Sequence, residues 1–282
     1  MTRRAETTRF APSPTGPLHP GHALSALFAA REAGPEGSFL LRIEDIDSTR
    51  CREPFVEGIF ADLAWLGLAW PAPVWRQSAR MGTYARALDS LKAEGLLYPC
   101  FCSRADIARE IAASASAPHG PDGPLYPGTC RGLPSEEAAR RIAAGAPHAW
   151  RLDMGKALAR APRLAWHDRD RGSRTATPEI FGDVVLARRD TPASYHLAVA
   201  LDDAAQGITC VTRGEDLLPA THVHRLLQYL LNLPTPEWRH HRLLADASGH
   251  RLAKRTGAPT LSSLRDAGAT PEEVKALIGW AG

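Results

Sequence analysis

Short apolar runs alternate with Pro- and Gly-rich punctuation along the first third of the chain. Thr8 to Ala11 reads as a strand entering the loop Pro12-Ser13-Pro14-Thr15-Gly16-Pro17. Leu24, Leu27 and Phe28 then recur at helical spacing from about Gly21 to Ala33, and Gly34-Pro35 stops that helix. Ser38 to Ile43 reads as a second strand. Strand, loop, helix, strand is the opening of a βαβ unit, so the pattern predicts a parallel sheet. Apolar residues at i, i+3 and i+4 predict helices at about Pro54–Leu66 and Thr83–Glu94.

The pattern changes at Tyr98. The stretch from Ser114 to Pro124 is dense in Pro, Gly and Ser and predicts a loop without a long regular element. A short helix is expected near Ser135–Ala144, and strands at His148–Asp153 and near Gly182–Arg188. The apolar run Ser194–Leu201 and the segment Gly207–Thr212 both read as strands, followed by a helix at about Ala220–Leu231. From about Ser262 the pattern is helical and small. An α/β beginning is thus interrupted by a middle insertion and then resumes. No internal repeat is evident.

Composition narrows the class. Of 282 residues, 44% are hydrophobic and 23% charged, which excludes a chain that is disordered over most of its length. No apolar run approaches the ~20 residues of a membrane-spanning helix. No apolar core follows Met1–Glu6, which argues against an export signal. The net charge of +3 permits a nucleic-acid partner without arguing for one. Lysine occurs only at 92, 156, 254 and 275, so each is worth inspecting. Five cysteines without an export signal make a disulfide scaffold improbable, and Cys100 and Cys102 read as reduced thiols or metal ligands.

Three segments carry candidate chemistry. The loop Arg9–Gly16 leads to His19-Pro20-Gly21-His22 at a helix N-terminus, where free N–H groups and a partial positive charge suit phosphate oxygens. Gly21 would let a nucleotide approach the backbone, and two imidazoles could stabilise charge on a triphosphate under attack. Alone, these residues do not separate such a site from a Pro-rich turn with two exposed histidines. Arg42-Ile43-Glu44-Asp45-Ile46-Asp47 places carboxylates beyond a strand end, where open α/β sheets bind ligands; a solvated turn is the plainer reading. Cys100-x-Cys102 with Tyr126-x-x-x-Cys130 offers three thiolates and one oxygen, compatible with tetrahedral zinc or with packed thiols.

Taken in order, these segments resemble the motifs of class I aminoacyl-tRNA synthetases of the glutamyl type. Arg9–Ser13 with Pro-Thr-Gly-x-Leu-His is similar to the first motif, whose "HIGH" element reads His19-Pro20-Gly21-His22 here. Arg42–Asp47 resembles the family's Arg-Ile-Glu-Asp-x-Asp stretch, in which the Glu contacts the α-amino group of glutamate; that implicates Glu44. Ser194–Asp203 and Val211–Leu218 look like the Tyr-x-Leu-Ala-x-x-x-Asp-Asp and Val-x-Arg-Gly-x-Asp-Leu stretches. The resemblance implies a glutamate site of Arg9, Phe10, Ala11, Pro12, Ser13, Glu44, Tyr195 and Arg213. It implies an ATP site of His19, Gly21, His22 and Lys254, with His19, His22 and Lys254 catalytic. His250–Arg255 stands where the family carries its "KMSKS" loop, but Arg251 replaces the first lysine and Ala253 the serine.

More narrowly, the cysteine cluster resembles that of the glutamyl-Q tRNA(Asp) synthetases. It implies one structural Zn2+ on Cys100, Cys102, Tyr126 and Cys130. The long Pro/Gly-rich loop between them leaves His119 as an alternative fourth ligand. Cys51 and Cys210 read as ordinary thiols. The expected architecture is a Rossmann-type parallel-sheet catalytic domain (1–99 and 182–238) interrupted by a zinc-containing acceptor-type insertion (100–181). A KMSKS-type loop and short helical part follow (239–282), with no anticodon-binding domain. The implied reaction joins ATP and L-glutamate to glutamyl-AMP, with Mg2+, and passes the glutamyl group to queuosine in the anticodon of tRNA(Asp). A cytoplasmic monomer is implied. Three alternatives stand beside this reading: a truncated glutamyl-tRNA synthetase acting on tRNA(Glu), a nucleotidylyltransferase, and a non-catalytic RNA-binding remnant.

Overall fold

The computed structural model describes residues 5–113, 119–189, 191–244 and 259–280. The chain opens with β1 (Thr7–Phe10), α1 (Pro20–Ala33), β2 (Ser38–Ile43), α2 (Glu53–Trp65), β3 (Trp75–Arg76) and α3 (Met81–Ala93). Next come β4 (Leu97–Cys100), α4 (Arg104–Ala113), the two-residue strands β5 (His119–Gly120) and β6 (Gly123–Pro124), and α5 (Ser135–Ala143). The middle continues with β7 (Ala149–Leu152), α6 (Met154–Arg160), β8 (Ala165–Asp168), β9 (Gly172–Thr175) and β10 (Val185–Arg188). The chain then adds α7 (Tyr195–Ala205), β11 (Cys210–Gly214), α8 (Ala220–Leu230), β12 (Glu237–His241), α9 (Leu261–Asp266) and α10 (Pro271–Leu277).

Strands β1, β2 and β3 pair in parallel, as the βαβ pattern predicts. Strand β11 lies against β1: Thr209 N donates to Thr7 O at 3.0 Å, and further along Arg9 Nη1 donates to Thr212 O at 3.0 Å. Strand β12 pairs in parallel with β11, then β8 with β12, and β9 closes the edge antiparallel. The connection therefore runs outward from β1 to β3 on one side and from β11 to β12 on the other. That reversal leaves a crevice beyond the strand ends at β1 and β11, the ligand position of an open α/β sheet. A separate antiparallel sheet orders β10, β7 and β4.

Two large apolar cores, with smaller clusters beside them, support this frame. One packs α1 and α2 over β1 and β2 through Leu24, Leu27, Ile59 and Leu63, and takes in Leu261, Val274 and Ile278 from α9 and α10. The other gathers α3, β4, β7, β10, α7 and α8 around Leu91, Leu152, Leu186, Leu197 and Leu226. Among the described residues no helix is long and apolar enough to cross a membrane.

The segment Ser194–Leu201 is not a strand but the start of helix α7. Ser194 is its N-cap and accepts from Leu197 N at 3.4 Å. Leu197 to Asp203 are all buried, so the helix lacks the polar face whose period separates helix from strand. The strand expected at Gly207–Thr212 begins later, at Cys210. Helices α4 and α6, the β8–β9 hairpin and β12 were not anticipated. Strand β12, Glu-Trp-Arg-His-His, has one strongly apolar residue, and its burial comes from Trp238 packing against Trp166 of β8.

Candidate active site

A cavity of about 240 Å³ opens at the β1/β11 crevice. Arg9, Phe10 and Ala11 come to it from the end of β1, Glu44 from the residue after β2, and Tyr195 from the first turn of α7. Arg213 reaches it from β11, while His19, Gly21 and His22 come from the start of α1. Residues separated by about 200 positions thus share one cleft. Pro12 and Ser13 are not among its lining. Pro12 instead ties the two strand ends together, its carbonyl accepting from Glu44 N at 3.0 Å, and Ser13 is exposed. Lys254, Arg251 and Ala253 lie outside the described residues, as does the side chain of His119.

Helix α1 begins with two histidines bonded to its own first turn. His19, the N-cap, accepts from Gly21 N at Nδ1 (3.1 Å), and His22 Nδ1 accepts from His19 N (3.2 Å). This is a capping box built from imidazoles instead of Ser and Glu. With each Nδ1 accepting, each ring bears its proton on Nε2. The rings sit 3.8 Å apart, centroid to centroid. A Cβ added to Gly21 would meet His19 Cε1 at 2.9 Å. A side chain at 21 would therefore push the neighbouring imidazole out of place, a constraint the loop sequence did not disclose.

Beneath the cleft lies a charge lattice of which the motifs mark only Arg9 and Glu44 as site residues. Arg9 is bidentate to Asp203, with Nε to Oδ1 at 2.9 Å and Nη2 to Oδ2 at 3.2 Å. Fully buried Arg42 also reaches Asp203 Oδ1 (2.8 Å), and lies 3.5 Å from Glu44. Asp202 accepts from Gln77, Tyr84 and Arg80. Two aspartates and Glu44 therefore stand against Arg9, Arg42 and Arg80. Burial pushes the Glu44 carboxyl up to about 7, against the opposing pull of Arg42 and Arg9. An ammonium group beside it would hold it ionised.

Arg213 stands apart from that lattice. It is 5% exposed, and among the described residues no carboxylate lies within salt-bridge distance of it. Burial lowers its pKa, with Arg9 adding to the shift and Tyr195 and Asp203 opposing it. Its partners are Tyr195 OH (3.3 Å), His224 Nδ1 (3.1 Å), His240 Nε2 (3.2 Å) and Thr221 Oγ1 (2.5 Å). His224, His240 and Thr221 went unnoticed in the sequence, because neither spacing nor an adjoining motif links them to residue 213. A small anion with an ammonium group fits this cleft: Arg213 offers a positive charge with no carboxylate in salt-bridge range among the described residues, and Glu44 a negative one.

The second cluster lies outside the sheet, at the end of β4. The Sγ atoms of Cys100, Cys102 and Cys130 lie within 4.8 Å of one another. Tyr126 Oη is 3.4 Å from Cys100 Sγ and 3.6 Å from Cys102 Sγ, and Cys102 and Cys130 are 3.5 Å apart. Four ligands at ~2.3 Å from one tetrahedral ion have edges of about this length, so the donor set fits zinc. Burial pushes the Cys102 thiol up to about 11 and raises the Tyr126 phenol, so both ionise only beside a cation. The Cys130 thiol is lowered: burial opposes this, but the Phe101 N–H and its phenol and thiol neighbours outweigh it. The Arg151 guanidinium lies 3.8 Å over the Tyr126 ring and favours a phenolate there.

Comparison with known proteins agrees with this geometry. The profile of the tRNA synthetases class I (E and Q) catalytic domain matches residues 6–282. A glutamyl-Q tRNA(Asp) synthetase of Rhodobacter capsulatus is 50% identical, over 96% of this chain and 99% of its own. One from Symbiobacterium thermophilum is 46% identical, over 94% and 83%. Among solved structures, a glutamate tRNA ligase of Elizabethkingia meningosepticum in complex with its amino acid superposes with a TM-score of 0.72 at 29% identity. The alignment covers 90% of this chain and 53% of that one, so the chain spans about half the length of that ligase. With the crevice at β1 and β11, the imidazole-capped helix and these matches together, the chain belongs to the class I tRNA synthetases of the glutamate and glutamine type, in their glutamyl-Q tRNA(Asp) synthetase family.

Proposed function

We propose that the protein activates L-glutamate with ATP and transfers the glutamyl group to queuosine in the anticodon of tRNA(Asp). The observation that carries the amino-acid half is Arg213, buried and without an acid in salt-bridge range among the described residues, facing a cleft that Glu44 also lines. Glutamate has two carboxylates and one ammonium. Glu44 takes the ammonium, and Arg213 with Tyr195 and Arg9 takes carboxylate oxygens. Glutamine would leave a buried guanidinium without its anion, which disfavours it.

The glutamate α-carboxylate attacks the α-phosphorus of ATP and pyrophosphate leaves. The α1 N-terminus and the Nε2–H groups of His19 and His22 stabilise charge on the phosphoryl oxygens. Lys254 neutralises the departing pyrophosphate, and Mg2+ accompanies the nucleotide. A queuosine hydroxyl then attacks the glutamyl carbonyl, and AMP leaves. The RNA half is supported by the names of the relatives alone. Zn2+ on Cys100, Cys102, Tyr126 and Cys130 would supply structural cross-linking, not chemistry. A catalytic domain interrupted by an insertion that begins near residue 99, a monomeric state and a cytoplasmic location belong to the same proposal; the boundaries at 181 and 238 do not, because β8 pairs with β12, β10 pairs with β7, and β12 itself spans residue 238.

ATP–pyrophosphate exchange with each amino acid tests the first step. Exchange with glutamate in the absence of tRNA is expected; none with or without tRNA overturns the enzyme reading. Labelled glutamate should then appear on tRNA(Asp) that carries queuosine and not on tRNA(Asp) that lacks it. Transfer to tRNA(Glu) instead would favour a glutamate–tRNA ligase, the activity named for a Nitrosococcus oceani relative 40% identical to this chain.

A further inference from the structure

Arg213 is held in place by neutral acceptors. Four hydrogen bonds fix its guanidinium, to His240, His224, Tyr195 and Thr221, and none of them cancels its charge. We infer that Asp168, His240 and His224 are positioning residues that lock Arg213 in orientation while leaving its charge for a ligand's carboxylate, and that this arrangement sets the preference for an acidic over an amide side chain. The inference takes its ligand from the glutamate reading above, but its geometry stands without it.

The lock begins at Asp168, at the end of β8. Its Oδ1 accepts the N–H groups of Asp170 (3.0 Å) and Arg171 (2.9 Å), which leaves Oδ2 for His240 Nδ1 at 2.6 Å. An ionised carboxylate only accepts, so the His240 proton must sit on Nδ1. Nε2 is then a lone pair, aimed at the Nε–H of Arg213 at 3.2 Å. A second imidazole repeats the logic. His224 Nδ1 accepts from Arg213 Nη1, so its proton sits on Nε2 and meets His196 Nδ1 at 3.1 Å. Burial and the nearby guanidinium keep these rings uncharged, with His240 and His196 both pushed down to about 4. An imidazolium at His240 would set N–H against N–H.

The choice of acceptor decides selectivity. A carboxylate in place of either imidazole would hold Arg213 equally well but would supply the anion from within. Glutamate and glutamine would then meet a neutral site. Imidazoles, kept neutral and in one tautomer, orient the guanidinium and leave its charge to the ligand.

Asp168→Asn tests the lock with little change in shape. The two backbone N–H groups retain the amide oxygen, so the amide NH2 turns to His240 and drives its proton to Nε2, against Arg213. In ATP–pyrophosphate exchange by the full chain, KM for glutamate should rise at least about tenfold, the size of a lost charge-assisted hydrogen bond. The kcat and the KM for ATP should stay within about twofold, and preference over glutamine should narrow. An unchanged glutamate KM, or equal changes in both KM values, overturns the inference. If Asp168→Asn does not fold, His224 decides. His224→Asn keeps an oxygen at the Nδ1 position and should raise glutamate KM clearly less than His224→Leu does. Equal behaviour of the two overturns it. Nitrogen-15 spectra of the histidine rings read the lock apart from activity: His240 should be protonated at Nδ1 in the wild type and at Nε2 in Asp168→Asn. Protonation at Nε2 in the wild type overturns the inference whether or not exchange occurs. A wild type with the expected tautomer and no glutamate exchange sinks the functional reading alone.

Discussion

Glu44 shows how far a single residue can be read before its surroundings are known. Its position after a strand end marks it in the sequence, but only burial, against the pull of Arg42 and Arg9, raises it to about 7. The consequence is a pH dependence with a definite sign. Below that value Glu44 holds a proton and cannot pair with an ammonium group. KM for glutamate should therefore fall as pH rises through about 7, by about tenfold per unit on the acid side. Exchange assays at saturating ATP across about pH 5.5 to 8 check it, and Glu44→Gln should flatten the profile. Stability moves the other way. Folded Glu44 keeps its proton up to about 7, whereas the unfolded group releases it near 4.5, so the folded state binds more protons between these values. That contribution is present below 4.5 and is lost as pH rises through 7. Gly21 makes a second residue-level case. An added methyl would displace the His19 ring it meets at 2.9 Å. Gly21→Ala should lower kcat about ten- to hundredfold, with less effect on glutamate KM, as expected when a catalytic group moves by about 1 Å. An unchanged kcat would remove His19 from the reaction.

At the scale of elements, α7 is the instructive case. Its apolar run has the length and burial of an internal strand, so periodicity alone misassigned it. As a helix it brings Tyr195 to the cleft at one end and buries Asp202 and Asp203 under β1 and β2 at the other. Arg9 and Arg42 depend on Asp203 for their compensation. Asp203→Ala would leave two buried guanidinium groups short of an anion, and should cost about 3–5 kcal/mol in urea unfolding. A loss below about 1 kcal/mol would mean that water reaches the lattice. By contrast α1, β2 and α2 were legible almost to the residue. Each has an apolar pattern of its own and a Gly or Pro near a boundary. Strand β12 has Pro236 at its start but no apolar pattern of its own, and its assignment depends on the strands it pairs with.

The whole molecule joins two charge-bearing sites through one frame. The cysteine cluster is attached at β4, whose antiparallel sheet with β7 and β10 packs into the same core as α7 and α8. Asp183 reinforces that attachment, with Tyr98, Arg131 and the Met154 amide on its carboxylate and Arg151 on its carbonyl. Native mass spectrometry should find one zinc per chain. Removing it with a strong chelator should lower the melting temperature and leave three titratable thiols near Phe101. A chain purified without metal and insensitive to the chelator would make the cluster a packed thiol core.

Positions carried by contiguous residues were readable from the sequence as candidates: the loop before His19, the carboxylate after β2, the close cysteine pair and the parallel sheet that a βαβ unit implies. These depend on local spacing, which the chain states directly. The tertiary structure decided what depends on residues far apart in sequence. It set Asp203 under Arg9, 194 positions away, and lined up Asp168, His240 and Arg213 from three neighbouring strands. Charge compensation and imidazole tautomers are properties of neighbours in space, and one-dimensional spacing has no term for them.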